Sequence, residues 1–167
     1  STVTNRYYIS RHQANGAPDT TFTTVVNNDV TSIALQCDGK IICSGDFTTV
    51  NGVARNKIAR LHADGTLDTT FNPDANATVE GTSLQADGKV IVNGRFSRVG
   101  RGNRDRIARL LNDPATESLT VPSPARVQWL RGGSSPETHF VTFELSTNGG
   151  SSWTALGAGT RITGGWE

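Results

Sequence analysis

Methionine is absent from this 167-residue chain, cysteine occurs only 2 times, and aromatic residues make up only 7%. Two cysteines cannot build the dense disulfide framework of small secreted scaffolds, and a chain of this length buries enough surface to fold without one. No apolar run approaches the ~20 residues that a membrane-spanning helix needs, so membrane insertion is not expected. An excess of either charge is lacking too: 16 Lys plus Arg against 15 Asp plus Glu leave a formal net charge of +1. That balance gives no global field to attract nucleic acid or an anionic membrane, and any charged partner has to be recognised locally. No Gly-x-Ser-x-Gly elbow, phosphate loop or paired-cysteine motif is present, so Ser-His hydrolase and nucleotide-binding schemes have no local support.

What the chain does have is 18 glycines among abundant Thr, Ser and Asn, a composition that suits a turn-rich β protein. It resembles the composition of bacterial extracellular β proteins, and a secreted or cell-surface bacterial location is the expectation. The opening Ser1-Thr2-Val3-Thr4 has neither an initiator methionine nor a charged-then-apolar signal pattern, so the chain reads as a processed or trimmed piece.

Aligning Val30–Asp64 with Val79–Asp113 gives 16 identities in 35 positions at a shift of 49, without a gap. This is an internal repeat. Leu35-Gln36 falls on Leu84-Gln85, Asp38-Gly39-Lys40 on Asp87-Gly88-Lys89, Phe47 on Phe96, and Ile58-Ala59-Arg60-Leu61 on Ile107-Ala108-Arg109-Leu110. The same shift places Arg11 on Arg60 and Asp19-Thr20-Thr21-Phe22 on Asp68-Thr69-Thr70-Phe71. Residues 1–29 therefore form the tail of an earlier, incomplete unit, and full units start at 30 and 79.

Within a unit, two β-rich runs flank an Asp-Gly turn, a strong hairpin signal. A three-residue turn with Gly39 left-handed sets Leu35 opposite Ile41 and Ile33 opposite Cys43, which keeps the apolar residues on one face. A third strand is predicted near Asn56–His62 and a weaker fourth over Leu67–Phe71. No segment has a helical period. The predicted fold is all-β, with propeller-like blades of antiparallel strands. Because two blades cannot close a ring, further blades or a homo-oligomer are expected to cover the exposed faces.

The runs Ala34-Leu35-Gln36-Cys37-Asp38-Gly39-Lys40-Ile41-Ile42, Gly45-Asp46-Phe47, Ile58-Ala59-Arg60-Leu61 and Asp64-Gly65-Thr66-Leu67-Asp68-Thr69-Thr70-Phe71 resemble the delta-60 repeat family of bacterial β-propeller-like proteins. The resemblance covers residues 1–113 and implies a fold without implying an activity. The second unit departs from the pattern at Gly100-Arg101-Gly102, where Asn51-Gly52-Val53 stands in the first.

After Asp113 the pattern stops. Residues 114–124, rich in Pro, Ser and Thr, read as a linker, and 125–167 as a β-rich segment, either a hairpin or a partial immunoglobulin-like sandwich. Strands are predicted near Arg126–Leu130, Phe140–Leu145 and Ser152–Leu156. Ser146-Thr147-Asn148-Gly149-Gly150-Ser151-Ser152-Trp153 looks like an Asp-box hairpin with Asn148 at the usual Asp position. That resemblance implies structure and not glycosidase chemistry.

Candidate chemistry lies in charged residues. Asp38 and Asp87, with Asp64, Asp113, Asp19 and Asp68, recur by repeat, and ring closure would gather such carboxylates around a hard cation such as Ca²⁺. The plainer role of such residues is turn stabilisation. Asp46 and Glu80 do not repeat, since Arg95 and Thr31 stand in the other unit, which makes them the catalytic candidates if the chain is an enzyme. Lactonase propellers suggest, by fold analogy alone, a Ca²⁺-dependent hydrolase of small esters or lactones. Arg95, Arg98 and Arg101 oppose Asp46, Thr49 and Gly52 and continue into Arg104, Arg106 and Arg109, a site suited to an anionic small molecule or acidic glycan. Nucleic acid is not expected, because only Phe96 interrupts the basic run. Cys37 and Cys43 are too far apart along the hairpin for a bridge, and His12, His62 and His139 lack metal-ligand spacing. The leading functional reading is a non-enzymatic extracellular repeat module for ligand binding or assembly.

Overall fold

The computed structural model describes residues 9–167, and the first eight residues of the incomplete leading unit lie outside it. The described chain is all-β and its sheets are antiparallel. The first unit comprises β1 (Val30–Leu35), β2 (Ile41–Gly45), β3 (Thr49–Val50), β4 (Val53–Ala54) and β5 (Ile58–Leu61). The second repeats it as β6 (Val79–Leu84), β7 (Val90–Gly94), β8 (Arg98–Val99), β9 (Gly102–Asn103) and β10 (Ile107–Leu110). In each unit three strands form a sheet, β1-β2-β5 or β6-β7-β10, and the two short strands form a separate hairpin.

The register matches the three-residue turn. Leu35 pairs with Ile41 and Ile33 with Cys43; 49 residues later, Leu84 pairs with Val90 and Thr82 with Val92. Gly39 and Gly88 take φ of 82° and 85°, values that cost glycine little and other residues much. The weaker fourth strand predicted over Leu67–Phe71 is not formed. Its only ladder contact is a single bridge between Leu61 and Leu67. The reason is local: the Asp68 carboxylate accepts hydrogen bonds from the Thr70 backbone N–H at 2.9 Å and the Thr70 hydroxyl at 2.6 Å, closing a turn where a strand would extend.

Two apolar cores follow the repeat. One holds Phe22, Val26, Ile41, Cys43, Phe47, Val50, Ala59 and Leu61. The other holds Phe71, Ala75, Val90, Val92, Phe96, Val99 and Ala108, their counterparts at the same shift, with Leu110 packed alongside. Ile42 and Ile58 of the first sheet also join the second core. Alternate residues of β2 thus face opposite cores, and all five are buried. The sheets are further tied by the Thr82 backbone N–H donating to Ser32 Oγ at 3.1 Å and by Thr82 Oγ1 and Ser44 Oγ at 2.7 Å.

The segment expected to be a linker is a nine-residue strand, β11 (Ala115–Ser123), paired along its length with β12 (Arg126–Gly133). Alternating Thr, Ser, Leu and Val favour the pleat. Pro122 is tolerated because β11 lies at the sheet edge. The remaining strands are β13 (Thr142–Leu145), β14 (Thr154–Ala158), β15 (Arg161–Ile162) and β16 (Gly165–Trp166), in a four-stranded sheet β11-β12-β16-β15 and a hairpin β13-β14. The Asp-box-like turn joins β13 to β14. Asn148 Oδ1 accepts the Ser152 N–H at 3.0 Å, and Ser146 Oγ accepts the Gly150 N–H at 2.8 Å.

This segment docks on the first unit. The Cys37 N–H donates to the Ser135 carbonyl at 2.8 Å and the Glu137 N–H to the Leu35 carbonyl at 3.0 Å, covering the end of the β1 edge.

Candidate functional site

Three charged clusters contain the candidate residues. The first lies at the hairpin-turn end of the first sheet, where Arg60, 2% exposed at its side chain, reaches Asp68 at 2.8 Å and Asp113 at 2.9 Å. Lys40 bridges Asp38 at 3.3 Å and Asp113 at 3.0 Å. The guanidinium of Arg60 also stacks on Phe71, 5.1 Å from the ring centre. Arg11, Asp19 and Phe22 repeat this arrangement one unit earlier, with an ion pair of 2.7 Å and a stacking distance of 4.9 Å. Burial raises the Asp68 pKa, but the side-chain and backbone hydrogen bonds of Thr70 and the Arg60 charge outweigh it and hold Asp68 at about 2. Sequence reasoning took Asp19 and Asp68 for turn residues or metal ligands and missed their arginines. The signal was present: Arg11 and Arg60 each stand 8 residues before their aspartate, 49 apart.

Asp38 and Asp87 each hold their own turn. Their Oδ1 atoms accept the N–H of Lys40 at 3.0 Å and of Lys89 at 3.1 Å, and the second oxygen of each pairs with the same lysine's ammonium. Among the described residues no group of three or more His, Cys, Asp or Glu is arranged to hold a metal ion.

The second cluster gathers Asp46 and its neighbours along one edge. Asp46 Oδ1 accepts Lys57 Nζ at 2.9 Å and Thr78 Oγ1 at 2.8 Å, and these bonds hold its pKa below the usual carboxylate range. Glu80 pairs instead with Arg95 at 2.8 Å. Each catalytic candidate is therefore engaged by its own cation, and using either as a proton acceptor requires breaking that pair. Lys57 and Thr78 are the partners that sequence reasoning missed.

The third cluster is the β8–β9 hairpin of the second unit. Arg98, Arg101, Arg104 and Arg106 are exposed, and none makes an ion pair among the described residues. In the first unit the corresponding β3–β4 hairpin carries Thr49 and Gly52, then a buried Arg55 and a Lys57 paired with Asp46 at 2.9 Å. Arg55 is held inside by the Ala54 carbonyl at 2.7 Å and the Thr69 carbonyl at 3.4 Å. Arg104 keeps the first of these bonds, to the Asn103 carbonyl at 2.8 Å, but not the second, because the Thr69 counterpart, Ser118, lies in β11 where the repeat has ended. The turns differ as well. Asn51 and Gly52 both have positive φ, 49° and 76°, whereas at the two matching positions of the second unit Gly100 alone does, at 62°, and Arg101 is accommodated at the hairpin tip.

The cysteines are both free thiols. Burial pushes Cys43 up to about 12, and burial also raises Cys37, whose thiol donates to the Pro136 carbonyl at 3.3 Å. Neither is a ready nucleophile. His12 Nδ1 lies 3.0 Å from the Gly16 carbonyl, a turn contact.

Residues 36–71 and 85–113 match a family model described as a domain of unknown function (DUF5122) beta-propeller. The two matches fall one on each unit, which agrees with the sheet repeat and makes these units β-propeller-like. No curated protein and no solved structure matches the chain.

Proposed function

We propose that the chain is a non-enzymatic, extracellular bacterial repeat module whose second unit binds an acidic glycan through the β8–β9 hairpin. One contrast carries this reading: the repeat leaves Arg98, Arg101, Arg104 and Arg106 exposed without acidic partners, while the first unit buries, pairs or lacks the equivalent charges. Charges that a fold does not use at home are free for a ligand, and guanidinium groups match carboxylate and sulfate oxygens two at a time. Binding to a sulfated or uronate-rich polysaccharide is expected to fall steeply as salt rises, with a neutral glucan giving no signal. Equal binding to charged and neutral glycans would refute the assignment.

Assembly is the second role, and a separate observation favours it. Ile107 on the outer face of the second sheet is 62% exposed, whereas Ile58, its counterpart, is fully buried beneath the second sheet. The residues after β10 turn back to the first unit's β1 edge and do not take up this position. The face continues an interface the chain already makes internally, and a second copy is its occupant in this reading. Sedimentation of the parent should show concentration-dependent association that Ile107→Lys abolishes. A parent that stays monomeric at high concentration would exclude it.

A further inference from the structure

The C-terminal segment holds an open cleft of about 350 Å³, lined from both its four-stranded sheet and its β13–β14 hairpin and within the size range of small-ligand sites. Leu119 of β11 and Trp129 of β12 are cross-strand partners, so they share one face of the sheet and line the cleft together. Phe143 and Glu144 of β13 line it from the hairpin, joined by Trp153, the residue before β14. These side chains reach solvent: Leu119 is 68% exposed and Trp153 61%, and Trp129 and Phe143 are half-buried.

The cleft carries charge of one sign. No Lys, Arg or His lines it, and Glu144 is exposed and makes no ion pair among the described residues. Aromatic ring faces are electron-rich and attract a cation, most strongly at tryptophan. Trp129 already carries the Arg131 guanidinium over its ring at 4.5 Å; that cation is 7% exposed at its side chain, lies 3.6 Å from Glu117 and is not part of the cleft lining. The rings and the free carboxylate therefore select a cation, and the shortage of acceptors selects which kind. A primary ammonium has three donors to satisfy, whereas the side-chain acceptors in the cleft are Glu144 and Thr142 alone. A methylated quaternary ammonium has no N–H and presents an apolar surface to the rings, so it leaves no donor unmet on leaving water.

We propose that this cleft is a binding site for a quaternary ammonium group, of the kind that choline carries, held by Trp129, Phe143 and Trp153 with Glu144 as its counter-charge. The site takes the opposite charge from the β8–β9 hairpin and does not depend on the glycan reading.

The experiment is a calorimetric titration of the full chain with choline chloride against a sodium chloride blank, and with the neutral isostere of choline in which carbon replaces nitrogen. Choline should bind saturably, and the isostere at least about tenfold more weakly. Trp153→Leu keeps an apolar residue and removes the ring, and should weaken choline about tenfold; Glu144→Gln should weaken it about threefold. Phosphocholine and trimethyllysine are titrated alongside, and saturable binding of either supports the site and identifies what carries the group. No saturable heat with choline, equal binding of the isostere, or parent affinity in Trp153→Leu would overturn the proposal. Should Trp153→Leu fail to fold, Glu144→Gln, at an exposed position, decides: weakened choline binding supports the site, and parent affinity refutes it.

Discussion

Arg60 shows how one residue sets the stability of a unit. Its guanidinium is buried and satisfied by Asp68, Asp113 and Thr70 together, and a buried charge is tolerable only while its partners remain. Asp68→Asn removes the best of them and should lower unfolding free energy by about 3 kcal/mol in urea titration at neutral pH. The equivalent Asp19→Asn breaks a pair whose arginine is 38% exposed at its side chain, and should cost far less, since solvent screens an exposed pair. Asp68 also carries a pH signature. With its folded pKa near 2 against an ordinary 3.8, its contribution is fully present above about pH 4 and is lost as pH falls through 2. The parent should therefore shed about 2 kcal/mol more than Asp68→Asn on acidification from pH 6 to pH 2. Parallel acid limbs for the two proteins would show that Asp68 is not held ionised by the fold.

At the scale of strands, the hairpin register was legible because only one pairing keeps Leu35 and Ile33 opposite Ile41 and Cys43, and the structure makes that pairing twice. Burial was less legible. Leu35 is 43% exposed although Leu84 packs on the second core, since Leu84 has the first sheet to lie against and Leu35 has no comparable layer. The Leu67–Phe71 strand failed because Asp68 bonds its own backbone, a choice that a β-rich pattern does not reveal. The strand at 115–123 was hidden by Pro at both ends of a polar stretch; its pairing with β12 is a tertiary fact. Of the candidate sites, the asymmetry between units singled out Asp46, Glu80 and Arg95, but not Lys57, which meets Asp46 through the β2–β5 pairing, or Thr78, which meets it only once the sheets stack. Phe47→Ala and Phe96→Ala, at equivalent fully buried positions, should each cost about 3–5 kcal/mol. Values differing by more than twofold would argue that the two cores are not equivalent.

For the molecule as a whole, the two units share a scaffold and differ in what they present. Sheet pairing, core and turn glycines follow the repeat, so they report on folding. Arg98 and Arg101 of the β8–β9 hairpin break the repeat, and the proposed glycan binding rests on that departure. The most direct test exchanges the second hairpin's charges for the first unit's residues, Arg98→Thr and Arg101→Gly, with Arg104→Ala, and measures binding to a sulfated polysaccharide at low salt. The exposed positions predict a variant that melts with the parent and binds at least about tenfold more weakly. A variant that binds as tightly as the parent would contradict the account.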